Sequence, residues 1–404
     1  MRNDRAEGCV NGMRWRLLRR RCGRAAAVMM LSASVVGNAN AADVRLVELS
    51  LPPGAIGSGA SAVNDEGTII GTVGFADRTW RAVKWDRRGA VTVLPSLPGA
   101  IETLVWKIFD DGVVIGTARD ENYTAHAVRW DRAGRITEFP SLGNGSTEVV
   151  GRNATGTYIG TSVAADGRTH AVRWDSRGRI TDLGIPTGAT GSAPADINDA
   201  GVIVGVADLA PGNTQPIMWS RQGVSAELPR LHGWSTFPES ITNDGHIAGT
   251  ATGPTPQDRL AVRWSRHGWI SALDLPPNAT ASALEAANAR GDLAGTAFFG
   301  PDPVWHGTRW DDRGRAVDLG VLPGGTSSFV RGMNDNGLII GDAEAPGAST
   351  RAVYWDRNNR IHDLGALPGS TWSSATGVNN HGVIVGFSSI PETGYGRAVM
   401  WRIR

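Results

Sequence analysis

Apolar and polar residues alternate along this chain in short runs, each bounded by Gly, Asn or Asp. The runs are rich in Val, Ile and Thr, and none past residue 41 sustains a helical period, so they read as strands. Four kinds of run follow one another. They are a Ser-x-Ala-x-x-Ile-Asn segment (Ser192–Asn198), a Gly-flanked apolar run (Gly201–Gly205), a His-Ala-Val-Arg-Trp segment (His170–Trp174) and an Arg-Ile-Thr-Asp-Leu segment (Arg179–Leu183).

The order repeats. Trp85, Trp130, Trp174, Trp219, Trp264, Trp310, Trp355 and Trp401 close the third run of successive copies, 44 to 46 residues apart. A turn glycine stands at Gly67, Gly112, Gly156, Gly201, Gly245, Gly291, Gly337 and Gly382, and another four residues after each. Asn precedes the turn glycine by three in six copies: Asn64, Asn153, Asn198, Asn288, Asn334 and Asn379. Four residues past the tryptophan comes Gly in six copies and Asn359 in the seventh. That position suits a left-handed turn residue, which Gly and Asn enter at least cost. The glycine inside the second strand is expected to keep a side chain from crowding a neighbouring unit.

A four-stranded unit of this period cannot bury both faces alone, and radial packing against its neighbours can. The expected fold is all-β: an eight-bladed β-propeller of four-stranded antiparallel blades, with the tryptophans as plugs between blades. Val44–Leu49 resembles a lone fourth strand, and the eighth copy lacks one after Trp401. The N-terminal strand is therefore expected to complete the last blade and close the ring, which removes an open edge.

Composition adds the beginning of the chain. Six arginines between Arg14 and Arg24, an apolar run from Ala25 to Gly37 and Ala39-Asn40-Ala41 form a secretory signal pattern. The expected division is a signal peptide, 1–41, and one eight-repeat propeller domain, 42–404, exported to the periplasm or the exterior. Both cysteines, Cys9 and Cys22, fall in the first part, so the second has neither disulfide nor thiolate metal site. Residues 42–404 carry 32 basic and 37 acidic side chains, net −5. That balance argues against nucleic acid as a partner. No further apolar run is expected to span a membrane, and a monomer is expected.

The motifs resemble the HAF repeat family of exported bacterial proteins. They stand as His126-Ala127-Val128-Arg129-Trp130 and as Ile197-Asn198-Asp199-Ala200-Gly201-Val202-Ile203-Val204-Gly205. The resemblance covers the whole of residues 42–404 and implies export and a repeat fold, with no particular activity.

Candidate chemistry is sparse. His126, His170 and His306 share one repeat position and read as strand residues, and no zinc-type spacing exists, so no metal and no cofactor are expected. No nucleophile elbow or phosphate loop is present. Variable residues concentrate in the loops after each second strand and between units, where function usually sits on a rigid scaffold. Trp80, Tyr123, Trp234, Trp305 and Trp372 are the candidate ligand-binding residues there. The expectation is a non-enzymatic binding protein that offers this loop face to a glycan or a protein. One alternative is a propeller glycosidase or polysaccharide lyase using loop carboxylates such as Glu121, Asp258, Asp302, Glu344 and Glu392. Another is a structural surface protein with no defined pocket.

Overall fold

A computed structural model describes residues 44–403 apart from 256, 301–303 and 391–393. The signal pattern, Asp302 and Glu392 lie outside the described residues. The fold is an all-β propeller of antiparallel sheets, six of four strands and one of eight. The eight-stranded sheet is two four-stranded meanders, 55–93 and 102–138, joined by a single parallel bridge between Trp80 and Glu102.

Unit 5 illustrates the plan: Ser235–Ile241, Ile247–Thr252, Arg259–Trp264 and Ile270–Ala272 pair in that order. Unit 8 departs from it. Its strands Ser373–Val378, Val383–Ile390 and Tyr395–Ile403 receive Val44–Glu48 as the fourth, with Val44 opposite Ile403 and Glu48 opposite Val399. The Leu49 amide continues the ladder to the Ala398 carbonyl at 2.9 Å.

The core lies between units. Trp264 packs with Val204 and Leu228 of the preceding unit and with Ile241, Ile247 and Val262 of its own. Trp85 packs likewise with Val385 and Met400 of unit 8. All eight repeat tryptophans have no exposed surface. Burying an indole N–H calls for an acceptor, and the preceding inter-unit loop supplies one to all of them but Trp401, whose Nε1 is buried without a partner. Trp85 donates to the Ser50 carbonyl at 2.7 Å, and Trp264 to the Pro229 carbonyl at 2.9 Å.

First strands lie against each other at the junctions of units 1 and 2, 3 and 4, 4 and 5, 6 and 7, 7 and 8, and 8 and 1, which places them innermost. The repeated Asn ties them together. Asn288 Nδ2 donates to the Asn334 carbonyl, Asn334 to that of Asn379, and Asn379 to that of Asn64 in unit 1. Meanwhile Oδ1 of each accepts from a backbone amide of its own turn. One side chain thus closes a hairpin and joins two units, work a turn-forming Asp could not do because it lacks the donor.

The second-strand glycine has a different reason from the one expected. A Cβ on Gly249 would collide with the Phe237 carbonyl of the first strand in the same unit, and one on Gly295 with the Ala283 carbonyl. The obstacle is the unit's own bulged inner strand. The first strand slips by one residue opposite this glycine in every unit, between Pro238 and Ser240 in unit 5 and between Leu284 and Ala286 in unit 6. No helix among the described residues is long and apolar enough to cross a membrane.

Candidate active site

A bulge gives the inner strand an extra residue and re-aims its side chain. The eight bulged residues are Ser61, Trp106, Val150, Ala195, Glu239, Glu285, Arg331 and Thr376, in units 1 to 8. They form one tier around the axis. The tier is lopsided: three consecutive units supply Glu, Glu and Arg, while units 3 and 4 supply Val and Ala. At the turn end, Asn64, Phe109, Asn288, Asn334 and Asn379 from five units line an axial cavity of about 300 Å³.

Glu239 and Glu285 are solvent-accessible by surface area, yet protein surrounds both. Both stand on first strands, so the surface they expose faces the inside of the ring. Enclosure pushes the Glu239 carboxyl up to about 7, and the charge of Glu285 adds to the push. The Thr250 hydroxyl and Arg259 work in the opposite direction. Thr250 Oγ1 is held in place by the Leu284 amide of unit 6 at 3.1 Å.

Enclosure also raises Glu285, but two guanidinium groups, Arg259 and Arg331, favour its ionised form. The direction is upward for both. The environments therefore separate the pair. Glu239 is the better proton donor near neutral pH, and Glu285 is the better acceptor or nucleophile.

Two further side chains hold the charged arc. Arg331 donates through Nε to Asp342 Oδ2 at 2.8 Å, and Asp342 is only 3% exposed. Burial pushes the Asp342 carboxyl up while the Arg331 charge opposes the shift. The Nε of Arg259 is buried without a hydrogen-bond partner.

The loop aromatics lie apart from this tier. Trp80 starts the third strand of unit 1 and rests against Gly74. Tyr123 is 71% exposed in a turn with φ of 60°. Trp234 is edge-on to His232, with ring centroids 5.5 Å apart. Trp305 packs on Phe298 at 5.0 Å, and Trp372 on Phe387 at 4.6 Å. They are distributed over five units.

Of the described loop carboxylates, Glu121 is exposed, and the other two secure turns. Asp258 accepts from the Thr255 amide and hydroxyl, and Glu344 accepts from Thr326. Each repeat-position histidine bonds a fourth-strand carboxylate: His126 to Glu138 at 2.8 Å, His170 to Asp182 at 3.0 Å and His306 to Asp318 at 2.9 Å. They fasten the third strand to the fourth.

Three residues before the repeated Asn is the signal that would have located Glu239, Glu285 and Arg331. Aligning the copies at that column exposes the acids without any structure. The position lies outside the loops, and a residue inside a strand carries no composition cue that it is bulged.

No protein-family model matches the chain, and no curated protein matches it. The HAF resemblance accordingly stands on its motifs, and what is shown is the propeller fold. Among solved structures, the chain is similar to puromycin hydrolase at TM-score 0.53 and 12% identity, covering 84% of this chain and 61% of that one. It is similar at TM-score 0.52 and 14% identity to a puromycin-hydrolyzing peptidase of Mycobacterium tuberculosis, covering 85% and 62%. The chain spans about three-fifths of both. A streptogramin B lyase covers 90% and 98% at TM-score 0.48 and 15% identity.

These likenesses are of fold, and the two puromycin-hydrolyzing proteins, with TM-scores above 0.5, are enzymes. The expectation of a non-enzymatic binding protein is corrected on that finding. Units that all keep one length of 44 to 46 residues do not argue against catalysis. Exchanging residues at a bulge changes the chemistry without changing a unit's length.

Proposed function

We propose that this chain is an exported enzyme that cleaves glycan chains by acid–base chemistry in the axial channel of an eight-bladed propeller of HAF-repeat type. The carrying observation is that Glu239 and Glu285 occupy the same bulge in adjacent units, with Arg259 and Arg331 beside Glu285. Glu239 donates a proton to the departing oxygen. Glu285 removes a proton from water or the sugar, or attacks the anomeric carbon. The raised carboxyl of Glu239 supports this division.

Eight blades and a closed ring are part of the reading. Eight repeats at one period, the pairing of Val44–Glu48 with the last repeat and the bond from Asn379 to the Asn64 carbonyl support it. Export rests on the signal pattern in residues 1–41 and is tested by N-terminal sequencing of the protein recovered outside the cytoplasm. A start at residue 42 is expected, and an unprocessed start contradicts export.

The activity test is a polysaccharide panel. It reads new reducing ends, which any cleavage produces, and ultraviolet absorbance of unsaturated sugars, which only elimination produces. Cleavage lost in Glu239→Gln and in Glu285→Gln supports the proposal. Cleavage that survives both substitutions removes the carboxylate pair from the mechanism.

A further inference from the structure

Unit 2 departs furthest from its siblings on the channel wall. Its bulge holds Trp106, where the others hold Ser, Val, Ala, Glu, Glu, Arg and Thr. The indole is 42% exposed, although it belongs to an innermost strand. It is also held still: Nε1 donates to Thr117 Oγ1 at 3.0 Å, and Thr117 is 1% exposed. A tryptophan plugging a wall would be covered, as the eight repeat tryptophans are. An oriented, wet indole inside a channel is a stacking platform.

The next residue gives the platform a charge. Lys107 is exposed, and it is one of two lysines in the whole sequence. Its amine lies beside Gly151 of unit 3, which offers no side chain to cover it. Among the described residues it has no ion-pair partner, whereas Arg331 on the opposite arc is engaged by Asp342. A free ammonium beside a fixed indole fits a flat ring bearing an anion. In a closed ring of eight, unit 2 stands across the axis from unit 6, so the platform is opposite Glu285.

We propose that Trp106 and Lys107 form the substrate-docking subsite, and that it selects a sugar ring carrying a carboxylate, as in a polyuronide. This rests on the reading of the channel as a glycan-cleaving site. The indole takes the apolar face of the ring, and the ammonium takes the carboxylate. The channel acids then meet the bond next to the docked ring.

Calorimetry on the Glu239→Gln protein, which retains an uncut ligand, tests the subsite. The probes are oligomers of galacturonate, glucuronate and mannuronate, together with their uncharged counterparts. At least one oligouronide is expected to bind more tightly than its uncharged counterpart. Adding Trp106→Ala is expected to weaken that binding about tenfold, with Trp106→Phe retaining most of it. Adding Lys107→Met is expected to abolish the preference for the acid. Coincident thermal unfolding of the variants excludes misfolding as the cause. Failure to bind any oligouronide, or equal affinity in the Trp106→Ala and Lys107→Met proteins, overturns the subsite. Neither result touches the catalytic reading, which fails separately if Glu239→Gln still cleaves.

Discussion

Units 3 and 4 and units 5 to 7 share one scaffold and differ at the channel. In all five the repeat tryptophan is fully buried, and the second-strand glycine accommodates a bulge opposite it. The residue on that bulge is Val150 or Ala195 in the first group, and Glu239, Glu285 or Arg331 in the second. The scaffold sets where the side chain points, and the substitution sets what it does. A ring of near-identical units can therefore host a site without any loop insertion.

The largest effect expected is on catalysis. Glu239→Gln or Glu285→Gln is expected to lower cleavage about 10²–10⁴-fold, while Ala195→Ser at the matching position of unit 4 leaves the rate unchanged. An equal loss in all three would dissolve the contrast between the arcs. Next come the glycines. Gly205→Ala and Gly249→Ala both force a Cβ against an inner-strand carbonyl, and each is expected to cost about 1–3 kcal/mol in urea unfolding. Only Gly249→Ala is expected also to lower cleavage, because its bulge carries Glu239. The Asn ladder is a smaller contribution. Asn288→Ala leaves the Asn334 carbonyl with the Gly337 amide as its donor but removes the bond between units, and is expected to cost about 1 kcal/mol by the same measurement.

The pH dependence follows from the raised carboxyl. Between about 4.5, the ordinary value, and about 7, the folded chain holds a proton on Glu239 that the unfolded chain releases. Stability therefore falls as pH rises through that window, and Glu239→Gln removes this part of the slope. Cleavage also declines as pH passes about 7, when the acid is lost. Urea unfolding and rates at pH 5 and pH 8 read the two effects. Smallest is Tyr123→Ala, in an exposed turn. It is expected to change stability by less than about 0.5 kcal/mol and to leave cleavage unaltered. A large loss there would return the site to the loop face.

Much of the architecture was legible in the sequence, because packing repeats there as spelling. Trp85 and its seven equivalents mark the inter-unit core, and the left-handed turns fall on Gly89 and Asn359 with φ of 86° and 62°. The inner strand was harder to read. A residue such as Glu285 lies among alanines in Ala281–Ala287 and looks like one exposed position of an alternating strand. Its direction depends on a register slip that only the pairing with Leu293–Phe299 reveals. The loop aromatics vary between units, and Trp305 and Trp372 cover neighbouring rings. Trp106 varies just as much, and it stands on the channel wall.

The measurement closest to the central claim needs no substrate. Carboxyl NMR titration of the purified protein, with Glu239→Gln to assign the resonance, reads the acid directly. The account predicts a Glu239 midpoint near 7 that moves down in Glu285→Gln, since the neighbouring charge is removed. A midpoint at the ordinary 4.5, unmoved by that substitution, would contradict a coupled acid–base pair in the channel.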